Sequence, residues 1–135
     1  MPVRAITLAL GACLVLAAPG CGASDRASDA AAVAERFHSA IGREDGGTAC
    51  AELSEETASA LEQQEDAPCE EAVLGLELPG EGTAAKTDVY VTTASVVLAE
   101  GGATFLDEGS QGWKVSAAGC TPTAPNLPYD CELES

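Results

Sequence analysis

The spacing of apolar residues changes character twice along this chain, and each change predicts a different kind of element. The first stretch, "AITLALGACLVLAA" over residues 5–18, is apolar apart from Thr7 and carries no charge. It is short for a helix that must cross about 30 Å of hydrocarbon. Beyond residue 28 a helical period takes over. "SDAAAVAERFHSAIGRED" places Val33, Phe37 and Ile41 four residues apart on one face, with Ser28 or Asp29 able to cap the start and Gly42 the end. In "GGTACAELSEETASALEQQ" a short piece over Thr48 to Leu53 sets Cys50 and Leu53 nearly on one side. Ser54 then caps a second piece whose first turn holds Glu55 and Glu56, where the helix dipole favours acids. Its Ala58 and Leu61 face the core. "DAPCEEAVLGLELPG" starts a further helix near Pro68 and carries Cys69, Ala72, Val73 and Leu76 inward. "PGEGTAAK" reads as a loop.

From Thr87 the period falls to two. "TDVYVTTASVVLA" is β-branched and long enough for one bent strand or two short ones. Val89 and Val91 take one face, and Val96 and Leu98 fall on the other unless a bulge near Thr92 to Ser95 intervenes. "EGG" turns the chain into "ATFLDE", and "GSQG" turns it into "WKVSAAGC", which predicts a three-stranded antiparallel meander. "TPTAPNLPYD", with three prolines, is expected to be an irregular loop that returns Cys131 to Cys120, and "CELES" to be a frayed or edge segment. Helices first and a curved antiparallel sheet second is an α+β arrangement.

The apolar leader now acquires a meaning. Pro19 and Gly20 stop a helix behind it, and Ala18, Pro19, Gly20 and Cys21 resemble the lipobox of bacterial lipoproteins. In that box a peptidase cuts before a cysteine bearing diacylglycerol. The resemblance implies a lipoprotein signal peptide over residues 1–20, lipid attachment at Cys21, and residence on the extracytoplasmic face of the cell membrane. "GASDRAS" is small and polar, so residues 21–28 read as a flexible tether and residues 29–135 as one domain. Two acyl chains on one residue would hold the chain there, since one alone anchors only marginally.

Charge narrows the partners. Twenty-two acidic residues face six Lys and Arg, a formal charge of −16 that becomes one unit more negative once Arg4 leaves with the leader. Such a surface repels phosphate backbones and excludes nucleic acid as a partner. It also repels anionic headgroups, which gives a covalent anchor its use. Of the six cysteines, Cys13 lies in the leader and Cys21 takes the lipid. Cys50, Cys69, Cys120 and Cys131 then read as two disulfides in an exported domain, with three connectivities open and proximity favouring Cys50–Cys69 and Cys120–Cys131. Zinc is disfavoured because there is no C-x-x-C spacing and His38 is the single histidine. The acid groups lack a calcium-loop pattern, so no metal or other cofactor is expected.

The helices and bent sheet together resemble the α+β roll of the nuclear transport factor 2-like (cystatin-like) superfamily. "GGTACAELSEETASALE", "ATFLDEGSQGWKVSAAGC" and "PYDCELE" are similar to a group of actinobacterial lipoproteins assigned to that roll, over roughly Ala30 to Glu134. The resemblance implies the fold and the cysteine pairing and carries no activity. Some rolls catalyse proton transfers inside their cone, as in isomerases and cyclases, which needs a carboxylate or histidine of shifted pKa and an oxyanion donor. The candidates here are His38, Asp88, Tyr90 and Trp113. Their plainer readings are a partly exposed boundary histidine, a strand-end charge, a core aromatic and core packing. The leading expectation is therefore a non-catalytic binding module for an envelope protein or a small ligand, with an isomerase or cyclase as the alternative. A cone filled by Phe37, Val96, Phe105 and Trp113 would leave only surface interactions.

Overall fold

The structure is a computed structural model in which residues 22–135 are described; the leader and Cys21 lie outside them. Four helices precede five strands: α1 (Gly22–Gly42), α2 (Gly46–Glu52), α3 (Glu55–Glu65), α4 (Cys69–Gly75), then β1 (Ala84–Tyr90), β2 (Thr93–Leu98), β3 (Ala103–Gly109), β4 (Gly112–Pro122) and β5 (Tyr129–Glu134). The strands form one antiparallel sheet in sequence order, and the helices pack on it, an α+β architecture.

α1 departs from the expected start at Ser28. It is helical from Gly22, so the segment read as a loose tether forms its first two turns. The physical reason is Arg26, whose guanidinium donates to the Val91 carbonyl, pairs with Glu108, and lies 5.5 Å over the Trp113 ring. A cation fixed on the sheet holds turns that composition alone would leave loose. The buried face of α1 is also broader than the Val33–Phe37–Ile41 stripe. Ala30, Ala34 and Ala40 are buried beside Val33 and Phe37, and their small side chains let the helix lie close on the sheet.

Ser54 caps α3 as the sequence predicts, and α2, which starts two residues earlier than expected, has a cap of its own in Asp45. The Ser54 hydroxyl accepts from the Thr57 amide at 3.1 Å, and Asp45 serves Thr48 in the same way at the start of α2. α2 and α4 pack so closely that a Cβ on Gly46 would sit 2.0 Å from the Glu70 carbonyl oxygen. The Cys50–Cys69 disulfide joins these two helices, and Cys120–Cys131 joins directly opposed residues of β4 and β5. Both pairings are those that proximity favours.

The sheet has five strands, the expected meander being extended by a division of its first strand and by a paired C-terminal edge. "TDVYVTTASVVLA" takes the alternative of two short strands rather than one bent or bulged one: Tyr90 pairs with Thr93, so Val91 and Thr92 form a two-residue turn between β1 and β2. The alternation conflict disappears because the two halves lie on different strands. Of the two readings of "CELES", frayed or edge, the edge one holds: β5 runs from Tyr129 along β4 at the margin of the sheet. The bends fall instead on β4, where Ser116 is an extra residue against β3 and Ala118–Gly119 a second irregularity. The Ser116 carbonyl accepts from the Thr57 hydroxyl at 3.1 Å, and the Val115 carbonyl from the Ser54 amide at 2.9 Å. The α2–α3 junction thus seals the stretch of β4 that β5 does not reach.

Candidate functional site

The alternation along β2 and β3 fixes which candidates face the helices. Ala94, Val96 and Leu98 are buried, as are Thr104 and Leu106, and Thr104 touches His38 of α1. The face carrying Thr104 is therefore the inner one. On it the space under the sheet is closed by Phe37, Leu61, Val96, Leu106, Val115 and Trp113. Phe105, expected among the filling residues, lies on the opposite face, half-buried and edge-on to Tyr129 with ring centroids 5.1 Å apart. Strand alternation requires this once Thr104 points inward.

His38 is fully buried rather than a boundary residue. Its Nδ1 lies 2.8 Å from the Pro79 carbonyl oxygen and its Nε2 2.8 Å from the Thr104 hydroxyl. The proline carbonyl can only accept, so in the neutral ring Nδ1 carries the proton and Nε2 accepts from Thr104. Burial holds the imidazole below its usual range, opposed by the Pro79 bond and by the charge of Glu100. The loop after α4 completes the enclosure: a Cβ on Gly82 would stand 3.0 Å from the His38 Cβ and 3.1 Å from two of its ring carbons, and one on Gly42 would stand 1.9 Å from the Gly80 oxygen. Only glycines permit this approach. Both ring nitrogens are committed and the ring is covered, so His38 ties α1, the 76–83 loop and β3 together. The place of His38 at the edge of an apolar stripe was legible and its burial was not; its partner Thr104, a threonine alternating with Leu106, was the overlooked signal.

Asp88 and Tyr90 share a face of β1, as expected, but Asp88 is registered with Ser95 and Phe105, on the side away from the helices. Asp88 pairs with Lys86 at 2.7 Å, and the hydrogen bond between them, then the carboxylate charge, raises the Lys86 pKa. Tyr90 is 61% exposed and so is not a core aromatic. Trp113 is buried under Arg26. The four candidates do not converge. Among the described residues, surface clefts of 310–790 Å³ lie elsewhere and are lined by none of the four. The 790 Å³ cleft runs between the end of α1 and residues 80–83, with Glu35, Ser39, Arg43 and Glu81 on its walls. It is a shallow surface feature: Glu35 accepts from the Ala84 amide at 2.9 Å, and Arg43 donates to Ser39.

Among the described residues every buried polar side-chain atom has a hydrogen-bond partner, and no three His, Cys, Asp or Glu side chains are grouped to hold a metal. No helix of the described residues is long and apolar enough to cross a membrane. The two disulfides indicate an oxidising, extracytoplasmic compartment. No family model matches the chain, and no curated protein or solved structure matches it either.

Proposed function

We propose that the mature chain begins at Cys21, stays on the outer face of the cell membrane through acyl chains on that residue, and serves there as a non-catalytic binding module. Its fold is on this reading a nuclear transport factor 2-like roll. The partner is an envelope protein or a small ligand met at the surface. The observation that carries the reading is the closed interior. His38 has both nitrogens engaged and Gly82 against its ring, and the acid–phenol pair that could have assisted it faces the other way. General acid–base chemistry needs a titrating group within hydrogen-bond reach of a substrate, and a ring sealed on every side offers none. This favours surface recognition over the isomerase or cyclase alternative. The disulfides support export, and the acidity disfavours nucleic acid.

The test separates surface from interior. Cross-linking in native membranes is run on the anchored wild type and on His38→Gln, with thermal unfolding to confirm that the variant is folded. The expected result is the same cross-linked partner in the same yield from both. A folded His38→Gln chain that loses its partner or ligand would place recognition in the interior and contradict the reading.

A further inference from the structure

The tip of the β1–β2 hairpin breaks the habits of such turns. Two-residue hairpin turns favour Gly, Asn or Asp because positive φ is required. Here the position is filled by Val91, at φ 45°. A β-branched residue in that region is an outlier, and a strained residue that contributes no packing is a reason to look for a role outside the fold. Val91 is 85% exposed, and Tyr90 beside it also stands in solvent. Residues 90–93 carry no charge in a strongly acidic chain.

The neighbours of this tip supply its occupant. The Val91 carbonyl accepts from Arg26, which lies in the second turn of α1. α1 is continuous from Gly22, the residue that directly follows Cys21 in sequence. At 1.5 Å per helical residue, Gly22 lies about 6 Å from Arg26 along the helix. From Gly22 onward the helix leaves no slack before Arg26 meets the sheet. A bilayer holding the residue that precedes Gly22 in sequence would therefore meet this end of the molecule first. The other large exposed apolar residues of the sheet region, Leu127 and Tyr129, stand at the opposite end of the strands, beyond the Cys120–Cys131 pair.

We propose that Tyr90 and Val91 insert into the headgroup layer of the bilayer that holds Cys21, so that the domain rests on lipid at two points and in one orientation. The proposal rests on the lipid-anchor reading above. Its chemistry is that of an interfacial contact: a tyrosine is at home at headgroup depth, and a valine adds apolar area. Arg26 neutralises Glu108 at this end; the exposed Asp25 beside it and Asp107, registered with Thr93, also lie there, so the contact is confined to the uncharged tip. An exposed valine held by the first helix of the domain then has a purpose that folding does not give it.

The acylated chain, purified from membranes, is reconstituted in vesicles of phosphatidylglycerol and phosphatidylethanolamine, with some acyl chains bearing a nitroxide. A polarity-sensitive dye is attached through Val91→Cys in one sample and Leu127→Cys in another, since the domain's own cysteines are paired. Flotation shows whether the chain is on the vesicles. The expected result is several-fold quenching and blue-shifted emission at position 91, with neither at position 127. Floating protein unquenched at 91, or quenched equally at both positions, would overturn the hairpin contact and leave the anchor standing. Protein that does not float would overturn both. Shielding of position 91 in native membranes but not in pure lipid would assign the tip to a protein partner and overturn the lipid assignment. Amide exchange of residues 90–93 in the unlabelled chain, expected to slow several-fold on vesicles, repeats the test without a substitution.

Discussion

His38 shows how one side chain can be spent entirely on structure. Its folded-state pKa is depressed by burial, so between that value and the ordinary 6.5 the unfolded chain binds more protons than the folded one. Stability therefore falls as pH drops through about 6.5 and levels off below the depressed value; above 6.5 this term contributes nothing to the pH dependence. Urea unfolding at a series of pH values should show a midpoint that declines over this range in the wild type, and His38→Gln should flatten the decline. A wild-type profile already flat there would contradict the buried neutral ring. Thr104→Val removes the hydroxyl that serves Nε2 and leaves that nitrogen unpartnered, which should cost about 1–3 kcal/mol in the same assay. Sequence reading identified the residue but not its burial. The helical period placed it at the border of the apolar stripe, whereas the border itself moved once Ala30, Ala34 and Ala40 also packed on the sheet. Tyr90 went the opposite way for a related reason: an aromatic on a β-branched strand suggests core, and only the register against Thr93 shows that it points outward at a hairpin end.

Among the elements, the two disulfides tie a short helix and an edge strand to their neighbours. α4 is a seven-residue helix without a side-chain cap, and Cys50–Cys69 ties it to α2. β5 is an edge strand, and Cys120–Cys131 ties it to β4. Closing loops of 19 and 11 residues stabilises by about 3 kcal/mol each in the chain-entropy account. The double variant Cys120→Ala with Cys131→Ala should lower stability by about that amount. It should also speed amide exchange in β5 while α1 stays protected, and uniform acceleration across the molecule would show that β5 is integral to one cooperative unit instead. The order of elements, the Ser54 cap and both pairings were legible because each rests on short-range chemistry. The strand count was legible only as one of two readings. The β1–β2 turn carries valine and threonine where a hairpin signal would be glycine or asparagine, and the return of Cys131 to Cys120 left open whether the last segment frays or pairs at the edge. Likewise α1 begins early because of Arg26, whose partners Val91, Glu108 and Trp113 are remote in sequence.

At the scale of the whole molecule, a closed core, a strongly acidic chain and two covalent clamps suit a domain in an oxidising, extracytoplasmic compartment. Such a charge disfavours contact with anionic surfaces, so on the proposed reading residence at a membrane depends on the anchor. The start of α1 at Gly22 means that such an anchor would fix the orientation of the domain as well as its address. Cys21→Ser should accordingly yield unprocessed precursor or protein lost from the membrane fraction, with the disulfide-bonded domain otherwise intact. The most direct single measurement is the intact mass of the protein recovered from the membrane fraction without reduction. It should correspond to a chain starting at Cys21, carrying diacylglycerol on that residue, with Cys50, Cys69, Cys120 and Cys131 all oxidised. A chain still beginning at Met1, found in the cytosol with those thiols free, would contradict the account.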